Sequence, residues 1–84
     1  MDYEALIKAV CQDLVSNSEN LIIREMSLAD EGKRLFVIMA DENDIARLIG
    51  KGGKVIRSIR EIINLAAKLH NEFVDIQVEN FDAK

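Results

Sequence analysis

The chain has no proline and no tryptophan, one cysteine, four glycines and an aromatic content of only 5%. Each shortage excludes something. A single cysteine, Cys11, cannot build a disulfide framework within the chain, which suits a reducing compartment. Without proline, the breaks between elements fall to glycine and short polar residues. No apolar run approaches the ~20 residues of a membrane span. Asp2 and Glu4 stand where the basic segment of a secretory signal would lie. The expectation is a cytoplasmic protein with no membrane partner.

Recognisable catalytic chemistry is also missing. No nucleophile–base pair or carboxylate dyad appears, so no enzymatic activity and no cofactor are expected. Asp41, Glu42 and Asp44 lack calcium-loop spacing and read as a turn and helix cap, with no metal. Cys11 has no companion at metal-ligand spacing and reads as a small core residue of the first helix. His70 stands alone near a helix C-terminus, where a partial positive charge is welcome, and reads as structural.

What is present suits one domain. The 84 residues are 49% hydrophobic and 31% charged, a globular composition. A chain this short buries about 60–65% of its unfolded surface, so self-association would help it. Net charge is −4, but unevenly spread. Residues 45–60 hold Arg47, Lys51, Lys54, Arg57 and Arg60 and no acid, a local +5 against −9 elsewhere. That asymmetry points to one face that attracts an anion.

Apolar spacing predicts an amphipathic helix over 2–15, with Leu6, Ile7, Val10, Cys11, Leu14 and Val15 on its inner side. Asn17-Ser18 reads as its stop. A strand is expected over 20–29, a hairpin turn at Asp30-Glu31-Gly32-Lys33, and a nearly continuous apolar, hence central, strand over 34–40. A short helix over 44–49 leads into glycines, a long helix runs from about 53 to 70, and an alternating strand covers 73–79. Residues 80–84 read as a frayed tail. The order is α-β-β-α-α-β, an α+β fold with a three-stranded sheet and three helices on one face.

Residues 48–60, LIGKGGKVIRSIR, place Gly50, Gly52 and Gly53 between two helices, with Lys51 inside the turn and Lys54 just after it. Such a turn offers backbone N–H groups and a positive helix end to an anion with little side chain in the way. It is not a nucleotide phosphate loop. Val55 follows Lys54 where GxxxxGK[ST] needs Ser or Thr, GxGxxG also fails, and a helix precedes instead of a strand.

Ile49-Gly50-Lys51-Gly52-Gly53-Lys54-Val55-Ile56-Arg57-Ser58-Ile59 resembles the KH-domain signature, an apolar residue, G-x-x-G, then x-x-I-x-x-I. The element order resembles the bacterial type II KH arrangement over essentially the whole chain, 1–84. A single KH domain of this size is similar to the small bacterial KhpA family. The resemblance implies single-stranded RNA as partner, held through Arg47, Ile49, Gly50, Lys51, Gly52, Gly53, Lys54, Ile56 and Arg57. Ile45, Ile49 and Ile56 would floor the groove, and the edge of the 34–40 strand would be its second wall. Gly52 fills a slot often held by a basic residue, so Lys54, Arg57 and Arg47 would share the load. Tyr3, Phe36, Phe73 and Phe81 all lie outside the motif, which argues against a stacking platform and for backbone-dominated binding with modest sequence preference.

Residues 54–70 carry more apolar surface than one core face needs, an arc of about 200° against ~100°. If the sheet and first helix leave part of it bare, Ile62, Leu65 and Leu69 would form a dimer interface. The resemblance implies self-association there, pairing with a larger KH-containing partner, and work as an RNA chaperone in post-transcriptional regulation. The alternative is an adaptor that dimerises through this helix, with RNA incidental.

Overall fold

In the computed structural model, which describes residues 1–27 and 33–81, the observed order is α1 (Tyr3–Cys11), β1 (Ile22–Met26), β2 (Lys33–Ala40), α2 (Glu42–Ile49), α3 (Lys54–Lys68) and β3 (Phe73–Asn80). This is the expected α-β-β-α-α-β fold. The hairpin turn expected at 30–33 lies outside the described residues, apart from Lys33 at the start of β2.

The sheet order is β1-β2-β3, so the apolar strand is central as expected. β1 pairs with β2 antiparallel, with Arg24 opposite Val37. β2 pairs with β3 parallel, with Val37 opposite Gln77. A parallel pair requires a crossover, and α2 with α3 supplies it. Strand alternation then assigns the faces. Ile23, Phe36, Ile38, Ala40, Val74 and Ile76 point into one core with Tyr3, Ile7, Leu48, Ile59, Ile63 and Ala67 of the helices.

α1 begins where the Asp2 carboxylate accepts the Ala5 N–H, 3.1 Å away. It ends at Cys11, four residues before the expected limit, because the chain turns so that Ser16 and Asn17 meet Asp44. Cys11 is fully buried, and that burial pushes its thiol up to about 11. The start of α1 is tied to the sheet through Tyr3. Its hydroxyl donates to Glu72 at 2.8 Å, and its ring meets Phe36 edge-on at 6.0 Å. Arg34 lies over the Tyr3 ring, 4.9 Å from its centroid, while its fork donates twice to Glu25 at 2.7 Å.

α3 ends in a left-handed residue, Asn71 with φ 56°, while Glu72 N–H returns to Ala67 O and Asn71 N–H to Lys68 O. This pattern satisfies the last carbonyls and turns the chain into β3. β3 extends through Asn80, and Phe81 N–H donates to Ala40 O, so the tail stays attached further than expected. Residues 82–84 are outside the described part.

β3 is an edge strand, and α3 closes that edge with side chains. The Asn64 amide accepts from Val74 N–H at 2.8 Å and donates to Val74 O at 2.7 Å. Arg60 donates through Nε and Nη2 to Ile76 O at 3.2 and 2.9 Å. Because Val74 is fully buried, Asn64→Ala should cost about 2 kcal/mol by leaving two backbone groups unpaired. Urea unfolding measures this, and an unchanged midpoint would show that water replaces the amide without loss.

Candidate functional site

Between α2 and α3 three residues take positive φ. Gly50, Gly52 and Gly53 have φ of 74°, 64° and 77°. Their reasons differ. A Cβ on Gly50 would lie 2.4 Å from Val55 Cγ2, so α3 packs directly on this residue. A Cβ on Gly52 or Gly53 would meet nothing within 4 Å. These two are glycine for conformation, and the space above them is open. The turn is held from within, as Gly50 N–H donates to Ala46 O and Gly53 N–H to Gly50 O. The residue that caps α3 is Gly53, which has no side chain to place over the helix end.

The structure divides the five expected cations. Lys51, Lys54 and Arg57 are exposed around the turn and form no ion pair among the described residues. Arg47 is half exposed but shared with Asp44 at 2.9 Å. Arg60 is committed to β3 as described above.

The expected apolar floor is also divided. Ile49 is 39% exposed at the end of α2, beside the turn. Ile56 is 7% exposed and belongs to the core, because it shares the inner stripe of α3 with Ile59, Ile63 and Ala67. Ile45 is partly buried against the same core. The 34–40 strand gives no free edge for a second wall, since β1 and β3 occupy both sides of it.

Asp44 has a role that sequence reasoning missed. It is 1% exposed and accepts hydrogen bonds from Ser16 N–H at 2.8 Å, Ser16 Oγ at 2.9 Å, Asn17 N–H at 3.1 Å and Arg47 Nη1 at 2.9 Å. A signal existed. Asp44 and Leu48 are four residues apart and share the inner face of α2, so an acid stood on an apolar stripe. Asp41, at the cap position, uses its side chain to accept from Asn20 Nδ2 at 3.3 Å instead of capping the helix.

On α3, the surplus apolar arc is bare. Ile62, Leu65 and Leu69 are 49%, 72% and 82% exposed, and Leu14 at 39% continues the strip past a shallow groove between α1 and α3. The sheet and first helix leave this part of α3 uncovered.

Hydrogen bonds from the Ser16 backbone, then from the Ser16 hydroxyl, Asn17 and Arg47, hold the Asp44 carboxyl below the ordinary carboxylate range, against the opposing effect of burial. A carboxylate depressed in the fold stabilises it fully above its unfolded pKa of about 4, and that contribution is lost as pH falls through the folded value. Asp44→Asn should therefore be less stable than the parent at neutral pH, with the gap narrowing below about pH 4. Urea unfolding across pH checks this, and a gap of constant size would show that charge is not the cause.

Comparison with known proteins follows the same outline. Two curated relatives, each named RNA-binding protein KhpA, come from Thermotoga maritima and Oceanobacillus iheyensis. The first is 27% identical over 59 residues, covering 70% of this chain and 76% of the relative. The second is 27% identical over 60 residues, covering 71% and 77%. Among the described residues, no helix is long and apolar enough to cross a membrane. The family model described as the KH domain of KhpA/KhpB matches residues 4–78, from α1 into β3 and across the glycine turn, and the chain belongs to that family.

Proposed function

We propose that this chain binds single-stranded RNA without catalysis, holding a few consecutive phosphates against the turn Gly50–Gly53. The observation that carries this reading is the open approach above Gly52 and Gly53, ringed by Lys51, Lys54 and Arg57, which are exposed and have no ion pair among the described residues. A phosphodiester needs close backbone approach and positive charge, and both meet at this turn. Ile49, 39% exposed beside the turn, offers an apolar surface to a neighbouring base, while Ile56 stays in the core. Arg47 adds a charge already shared with Asp44. The naming of the curated relatives as RNA-binding proteins supports the same reading.

Three unpaired cations imply a log–log salt slope of about −2 on single strands. In Lys51→Asp/Gly52→Asp, two anions replace a cation and a glycine where phosphate would sit. Gly52 has room for the side chain, and aspartate is among the residues that tolerate its left-handed backbone. This variant should remain folded and lose at least about tenfold in affinity, since each 1.4 kcal/mol is tenfold. Titration of labelled single-stranded RNA at several salt concentrations reads both effects. Binding that is unaffected by salt and by the double substitution would discard the mechanism.

A second role rests on the bare strip Ile62, Leu65 and Leu69. In this reading it joins two copies, or accepts the KH domain of a larger partner, and so brings weak RNA sites together for post-transcriptional regulation. Ile62→Asp should reduce the sedimenting mass at micromolar concentration while leaving the fold intact. A mass unchanged from the parent would remove this strip as an interface.

A further inference from the structure

The helices cover one face of the sheet, and the opposite face is not an ordinary solvated one. Its residues follow from the strand pairing. They are Ile22, Arg24 and Met26 on β1, Lys33, Leu35, Val37 and Met39 on β2, and Phe73, Asp75, Gln77 and Glu79 on β3. Ile22, Met26 and Phe73, on the outer strands of this face, are 38%, 48% and 53% exposed. The central strand is apolar on both sides, the pattern of a strand covered twice. No second layer packs on this face among the described residues, although Val37 at its centre is already only 6% exposed between its neighbours. The face is shallowly concave, lined by Arg24, Met26, Leu35, Val37, Gln77 and Glu79 among others.

Charge on this face is segregated by edge. Arg24 lies on β1, and Asp75 and Glu79 lie on β3, with β2 between. None of the three takes part in an ion pair among the described residues. A cationic edge and an acidic edge flanking an apolar centre form a self-complementary pattern.

We infer that this open sheet face is a self-association surface, on which a second copy of the chain packs sheet to sheet. The two-fold axis runs along β2, parallel to the strands. This operation places β1 of each copy over β3 of the other and β2 over β2. The register then aligns the charges. Arg24, Val37 and Gln77 share one row, while Asp75 and Glu79 sit in the rows on either side. Arg24 therefore lands over the partner's Gln77, between the partner's Asp75 and the partner's Glu79, each row about 7 Å away along the strand. Sheets packed in this way sit about 10 Å apart, within reach of an arginine whose stem lies along apolar surface. A two-fold axis across the strands would instead stack arginine on arginine and acid on acid. The same operation brings Lys33, exposed at the end of the face beside Phe73, over the partner's Lys33, a single like-charge pair at the rim, where solvent screens it. The contact is isologous, so every pair off the axis forms twice.

The test separates this surface from the α3 strip by working in the Ile62→Asp background. That chain should show reversible dimerisation at millimolar concentration, weakened by salt, with NMR shift changes centred on Leu35, Val37 and Met39. Two further variants in that background carry Arg24→Glu, or Asp75→Lys with Glu79→Lys. The first has acids on both edges and the second has cations on both, so each alone should stay monomeric. Mixed in equal amounts they should dimerise again, because every edge then faces its opposite. All three positions are exposed, and the one hydrogen bond that is lost, Ile76 N–H to the Asp75 carboxylate at 2.9 Å, is controlled by comparing the urea midpoints of the variants with the background chain. A background chain that stays monomeric at millimolar concentration overturns the proposal. So does a mixture no more associated than its components, and so do shift changes confined to the helical layer.

Discussion

The geometry of this molecule depends on how α3 is fastened to the outer edge of β3. An edge strand exposes a row of unpaired backbone groups, and a small domain cannot leave such a template open without cost. Asn64 and Arg60 close it at Val74 and Ile76. These bonds are directional where the apolar contacts of Ile56, Ile59, Ile63 and Ala67 are not. Burial supplies most of the favourable free energy, while the amide and guanidinium set the direction in which α3 runs across the sheet. Because α3 starts at the glycine turn, its direction also sets where that turn stands.

A second fastening acts on the other side of the turn. Asp44 ties α2 to the segment that follows α1 through bonds to Ser16 and Asn17. Gly50 then lets α3 pack directly on the end of α2, closer than any side chain would permit. With both flanking helices held, the backbone of Gly52 and Gly53 need not be fixed by contacts of its own. Their left-handed geometry follows from the short span between two anchored ends, which is why glycine is needed where space is ample. A turn organised before the ligand arrives loses less conformational freedom on binding.

The local patterns were legible in the sequence. The element order, the central position of β2, the glycine turn and the alternation of β3 all arise from periodicity and backbone permissiveness, which act over a few residues. The missed features depend on contacts between distant segments. The charge count over 45–60 treated five cations as equivalent, whereas Arg60 reaches β3 and Arg47 meets an acid one residue before the window began. Ile56 matched the family motif, yet its place on the α3 stripe sends it to the core. β2 was read as central while its edge was also made a wall of the groove, and pairing with β1 and β3 on both sides leaves no edge for that role. The apolar run of β2 was taken as evidence for the middle of the sheet. It also means that the second face of β2 lacks the polar residues expected of a surface, which follows from the same expectation that put all three helices on one face.

The count of cations without an ion pair among the described residues also bears on the proposed association. In the proposed binding mode, three exposed charges on an acidic chain would form a weak electrostatic clamp, and exposed charges are screened beyond about 8–10 Å at physiological salt. Affinity gained by adding cations would work against the small size and acidic balance of the domain. Linking sites avoids that conflict, since a second site on the same strand binds at an effective concentration set by geometry. The arrangement of surfaces permits such linkage. Ile62 is about 12 Å along α3 from its start, at 1.5 Å per residue, and the open sheet face lies on the far side of the helical layer. Neither surface overlaps the glycine turn, so copies joined through either would keep their turns accessible to the same strand.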